Sequence, residues 1–168
     1  MARTFVAAAS FAVLLGVTPS VAGAGSPQGL WVLDDRSTVV EIMQCENHLC
    51  GRIVGVAGAS RKGAFAPDGR RIAAGESRRP LCGSVAFDGF RQAGGEQYVG
   101  GRLFNPEDGK FYDATATVES ADAIRVRGYV GAEMFGRTRY LYRWGTPEGR
   151  LKAGDDCRPI SAANGRTT

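Results

Sequence analysis

The sequence holds a single histidine, His48, in 168 residues. A Ser-His-Asp triad, a histidine-rich zinc centre and a histidine acid–base pair all place imidazole at the chemistry, so this shortage narrows catalysis at once. There is no Gly-x-Ser-x-Gly elbow and no glycine-rich stretch ending in Gly-Lys-Ser/Thr, which excludes the α/β-hydrolase nucleophile and the phosphate loop. Lysine is scarce as well: Lys62, Lys110 and Lys152 stand among 21 basic residues, so the positive charge is nearly all arginine. The formal net charge of +4, to which Arg3 contributes, is too mild for the electrostatic footprint of a nucleic-acid binder, and no nucleic-acid partner is expected. Beyond Val17 no apolar run approaches the roughly 20 residues that cross a bilayer as a helix, so no membrane span is expected.

What is present begins with "MARTFVAAASFAVLLGVTPSVAGAG": a basic start at Arg3, an apolar stretch from Phe5 to Val17, then small residues. This predicts a secretory signal peptide over residues 1–24, cleaved after Ala22 or Ala24, with Ala24 taken as the boundary. No cysteine follows the apolar stretch, so the product is expected to be periplasmic or secreted and not a lipoprotein. Residues 25–160 then form one domain by the length prior, and residues 161–168, "SAANGRTT", form a flexible tail.

Export places Cys45, Cys50, Cys82 and Cys157 in an oxidising compartment, where four cysteines predict disulfides. "TVVEIMQC" and "CGRIVGV" alternate β-branched with polar residues, and "ENHL" between them reads as a four-residue turn. A hairpin of this kind sets Cys45 opposite Cys50 at a bridging distance and leaves Cys82 to pair with Cys157. A metal is undersupplied, because Cys45, Cys50 and His48 offer at most three ligands, and a redox pair prefers a tighter Cys-x-x-Cys at a helix start. No metal and no cofactor are expected.

Helical periodicity is sparse, while short alternating runs recur between Gly, Asp and Pro turns. The pattern predicts eight strands: 29–33, 38–45, 50–56, 81–87, 97–104, 110–118, 123–129 and 137–144. Short connections and eight strands predict an all-β, up-and-down antiparallel barrel, wide enough to be filled by side chains or to hold one small ligand. "NPEDGK", residues 105–110, is a turn, and the glycine-rich, basic link from Ala57 to Arg79 is expected to lie over one barrel end.

"GLW" at Gly29-Leu30-Trp31, with Arg143 at the end of the last strand, resembles the calycin and lipocalin signature, in which an arginine covers the tryptophan and closes the barrel. Almost all of the chain after residue 24 resembles a bacterial exported family known as the domain of unknown function numbered 2147. The stretches that carry the likeness are "GLWVLDDRSTVVEIMQCENHLCGRIVG", "RRPLCG", "DGF", "YVGGRLFNPEDGKFYDATATV" and "IRVRGYVG" followed by "FGRTRYLYR". The resemblance implies a calycin-like barrel and matches its cysteine pair to Cys45 and Cys50. Tyr98 and Leu141 stand where that family usually has tryptophan, and Asn105 where it often has aspartate.

Two functions follow. In the first, the barrel binds a small apolar or amphipathic ligand without catalysis, with Trp31, Tyr98, Phe104, Tyr112, Tyr140 and Tyr142 as candidate wall residues. In the second, a filled barrel serves as a cell-envelope protein-interaction module. The last two strands carry alternating arginines: Arg125, Arg127 and Tyr129 share one face, and Arg137, Arg139, Leu141 and Arg143 another. The simple expectation sets these arginines outside and the aromatics in the core. The sharper one turns Arg127 and Tyr129 inward to grip an anionic head group, a pattern similar to the Arg-x-Tyr of fatty-acid-binding proteins. The paired carboxylates Asp34-Asp35 read as turn formers.

Overall fold

A computed structural model describes residues 25–57, 81–152 and 157. The predicted signal peptide, the body of the 57–79 link and the 161–168 tail lie outside the described residues. Eight strands run in chain order: β1 Gly29–Leu33, β2 Thr38–Cys45, β3 His48–Val56, β4 Val85–Gly94, β5 Gln97–Asn105, β6 Lys110–Ser120, β7 Ala123–Tyr129 and β8 Arg137–Arg143. Each pairs antiparallel with its neighbour in sequence, and β8 returns to β1, closing the barrel. Closure leaves no free sheet edge, which is why short strands of this kind are stable together.

Alternation decides which residues enter the core. On β2, Val40 and Ile42 are buried while Glu41 between them stays half exposed and pairs with Arg52 of β3 at 2.7 Å. Burying each such aliphatic side chain stabilises the fold by about 1.5–3 kcal/mol. Phe87 and Phe90 of β4 also point inward, although they are three positions apart. Gly89, at φ +84°, lies between them, where the pairing with β3 slips and restores the inward phase. The two rings meet edge to face at 5.3 Å. Each occupies the place of a missing side chain: a Cβ on Gly51 would lie 2.4 Å from Phe87, and one on Gly101 2.4 Å from Phe90.

Beyond shifts of one or two residues at the ends of β5, β6 and β8, two strands differ from the sequence reading. The fourth strand, predicted over 81–87, is Val85–Gly94, because Gly89 is accommodated inside the strand, while Leu81–Ser84 forms the turn around Gly83 at φ +81°. The third strand starts at His48, so the hairpin turn is Glu46-Asn47, with Glu46 at φ +51°. Cys45 therefore faces His48, and Cys50 faces Met43. The Cys45–Cys50 disulfide crosses the ladder diagonally on the outer face, with Cα atoms 5.9 Å apart.

After β8 the chain folds back over the outside of β1 to β3. Leu151 covers Val32, Val39 and Val54, which face outward yet are buried, and Arg36 holds the segment through the Pro147 and Arg150 carbonyls. The Cys82–Cys157 disulfide, whose ends are 75 positions apart in sequence, ties the C-terminal region to the turn before β4. In a loop-entropy account, closure of that length contributes roughly 4 kcal/mol.

Candidate functional site

Strand directions give the barrel two unlike ends. At one end lie the 45–48, 94–97 and 120–123 turns and the segment leading into β1. Trp31 is fully buried there, and its Nε1 donates to the Pro27 carbonyl at 2.8 Å. The Arg143 guanidinium stacks 4.2 Å over the indole and donates to the carbonyls of Ser26, Gln28 and Ala121. Gly29, at φ +118°, lets Arg143 pass, since a Cβ there would sit 3.3 Å from its Nη1. One arginine thus seals the floor, and the cation–π contact contributes about 1–2 kcal/mol in this partly desolvated setting.

Above the floor is a cavity of about 960 Å³ that opens at the other end of the barrel. Its deep wall is aliphatic and aromatic, with Ile42, Phe87, Phe90, Val118, Val126 and Leu141 among the lining residues. That volume is in the range of sites that enclose a small organic ligand. A filled barrel does not describe this interior. Its polarity is also the reverse of a membrane-spanning barrel, which is polar inside and apolar outside. Among the described residues no helix is long and apolar enough to cross a membrane.

The mouth is polar. It is built by the β1–β2 turn, the β5–β6 turn and the β7–β8 link, and the two strand ends that the 57–79 link joins also lie here. Arg139 lines the cavity and binds Asp34 through Nε at 2.6 Å and Asp35 through Nη2 at 3.0 Å. Burial pushes the Asp35 carboxyl up, but hydrogen bonds from Ser37 and Arg139 outweigh it and leave it below its ordinary value. Burial lowers the Arg139 pKa, yet the two carboxylates outweigh that and raise it overall. Across the mouth the Tyr112 hydroxyl donates to Asp108, which pushes the phenol pKa up. Tyr98 lines the cavity nearer the floor, where burial, with the Glu96 charge added, raises its phenol pKa.

The wall residues read from the sequence divide into three groups. Tyr98, Phe104, Tyr112 and Tyr129 line the cavity, Tyr129 at its rim. Trp31 belongs to the floor. Arg127, Tyr140 and Tyr142 face outward, which corrects their assignment as ligand contacts. The Arg127 guanidinium holds the β7–β8 link from outside, bonding the Glu133 and Met134 carbonyls and the Thr138 hydroxyl. Tyr140 and Tyr142 stack on one another at 6.3 Å.

Strands β7 and β8 are thus in opposite phase. On β7 the arginines face out and Ile124, Val126 and Gly128 face in. On β8 the arginines face in and the tyrosines out, as the pairings Ile124↔Leu141, Val126↔Arg139 and Gly128↔Arg137 require. Sequence reasoning missed Arg137 and Arg139 as rim residues, and read Asp34-Asp35 as turn formers without their ion pair to Arg139. His48 lies outside the barrel, its Nε2 2.8 Å from Asp88. Among the described residues no three of His, Cys, Asp and Glu gather as metal ligands.

Residues 29–143 match the family model described as an uncharacterised protein conserved in bacteria, DUF2147. The fold is similar to a solved structure of protein HP1028 from the human pathogen Helicobacter pylori, which is described as belonging to the lipocalin family. The superposition has a TM-score of 0.56 at 20% identity, covering 73% of this chain and 86% of that one. No curated protein matches the sequence.

Proposed function

The chain belongs to the bacterial DUF2147 family, and from that membership and the hollow interior we propose that it is an exported, non-catalytic carrier that binds a small apolar or amphipathic molecule inside its barrel. The observation that carries this reading is the apolar cavity of about 960 Å³, sealed at the Trp31 floor and open at a charged rim. A site of this kind gains affinity by removing apolar surface from water and uses its few polar groups for orientation. The lipocalin-like barrel supports a container, while fold alone does not name the contents. The two disulfides fit an oxidising compartment, which supports a periplasmic or secreted location. Catalysis has no place in this reading, because the sole imidazole lies outside the barrel, largely covered and bonded to Asp88.

Native mass spectrometry of the protein purified from its own host tests the proposal. The expected result is a mass increment of a few hundred daltons that denaturation releases, together with saturable binding of an uncharged hydrophobic fluorophore. If no species copurifies and the fluorophore fails to bind, the carrier reading falls. A second reading, contact with another envelope protein, is favoured by one feature: Val130, Met134 and Phe135 expose most of their surface on the β7–β8 link beside the mouth.

A further inference from the structure

We propose that Arg137 is an anion subsite at the mouth, and that the carried molecule is a single-chain amphipath whose head is a carboxylate. The inference rests on the carrier reading above and adds the chemistry of the head group. Three arginines line one face of β8. Arg143 is held by three carbonyls and an indole, and Arg139 by two carboxylates. Arg137 lines the cavity at the rim and, among the described residues, its guanidinium has neither an ion pair nor a hydrogen bond.

The residue that faces it across the ladder brings no side chain. Arg137 pairs with Gly128 on β7, and Tyr112 of β6 stands beyond that glycine. A Cβ on Gly128 would lie 3.3 Å from Leu103 Cδ1 and 3.9 Å from Tyr112 Cβ, so Leu103 packs into the place of the missing side chain and no side chain at that position of β7 partners the guanidinium. Tyr112 already donates its hydroxyl hydrogen bond to Asp108, which leaves Arg137 as the donor on that side. Below Arg137 the wall is apolar: Leu103, Val126 and Leu141 line the cavity. A head group on Arg137 therefore keeps its tail in the barrel.

Charge around the rim selects among anions. Asp34 and Asp35 share one arginine, and Asp108, which accepts from Tyr112, lines the other side of the mouth. A dianion such as a phosphate monoester meets this acidic surround with twice the repulsion of a monoanion. The planar guanidinium fork matches a carboxylate through two parallel hydrogen bonds. A singly charged carboxylate satisfies both conditions.

The test is displacement of an uncharged hydrophobic fluorophore from the full chain by dodecanoate, dodecanol and dodecyl phosphate at neutral pH. Dodecanoate is expected to bind about tenfold more tightly than dodecanol, the scale of one hydrogen bond to a charged group. Arg137→Gln should erase that preference while leaving fluorophore and dodecanol binding within about twofold, and Arg137→Lys should retain part of it. Arg91→Gln makes the same charge change at an exposed residue of β4 and should leave the preference intact. Equal binding of acid and alcohol, a preference that survives Arg137→Gln, or tighter binding of dodecyl phosphate each overturns the inference while the carrier reading stands. Failure of every probe to bind overturns both.

Discussion

At the floor of the barrel Arg143 is committed, while at the mouth, on the same strand and the same inward face, Arg137 is not. Between them Arg139 is paired with carboxylates. The three differ in what surrounds them. Arg143 meets the backbone carbonyls of the segment entering β1 and the indole of Trp31, all fixed before any ligand arrives. Arg137 meets a glycine and open cavity. A guanidinium saturated by its own chain serves the fold, whereas one left without a partner above an apolar cavity is available to something else.

The comparison breaks first at the floor. Trp31→Ala removes the largest fully buried side chain, and its expected cost is about 3–5 kcal/mol in chemical denaturation. A loss below about 1 kcal/mol would mean that the indole is not what closes this end. The next step sets the two terminal arginines of β8 against each other. Arg143→Ala is expected to destabilise by about 2 kcal/mol, through lost hydrogen bonds and cation–π contact, and Arg137→Ala by no more than about 0.5 kcal/mol. Equal effects in the two variants would remove the distinction between a structural and an available arginine.

The smallest effect belongs to the ion pair between them. The folded Asp35 carboxyl sits below its ordinary value of 3.8, so its contribution is present above that pH and is lost as the pH falls through the folded value. Asp35→Asn should therefore lower stability near neutrality and flatten the acid limb of the stability curve below about pH 4, by less than about 1 kcal/mol because the pair is partly exposed. An unchanged acid limb in urea melts at several pH values contradicts this assignment.

Much of the barrel was legible in the sequence, and the two failures have physical causes. Seven strands follow from alternation with boundaries within about two residues, since each has one face that must be buried. The fourth was displaced because residues 88–96, with three glycines at 89, 94 and 95, were left between strands. Gly89 in fact makes a mid-strand bulge, and Phe87 and Phe90 both reach the interior, which strict alternation does not allow. The site was less legible. Placing Tyr140 and Tyr142 in the wall followed the rule that aromatics go inside, yet the phase of β8 was already set by another observation. If Arg143 covers Trp31 from within the barrel, the period of two carries Leu141, Arg139 and Arg137 to the same face and the tyrosines outward. Cavity volume had no such signal: whether eight strands enclose a space or fill it depends on how rings such as Phe87 and Phe90 settle against Gly51 and Gly101.

Two sets of buried aliphatic side chains separate the interior from the outer packing layer. Val40, Ile42, Val126 and Leu141 line the cavity, whereas Val32, Val39 and Val54 are buried outside the barrel beneath Leu151. The most direct test of the carrier reading is therefore a methyl-resolved NMR titration with an uncharged hydrophobic compound. The account predicts saturable shifts at the first set with the second unmoved, and shifts confined to the outer set, or none at either, would contradict it.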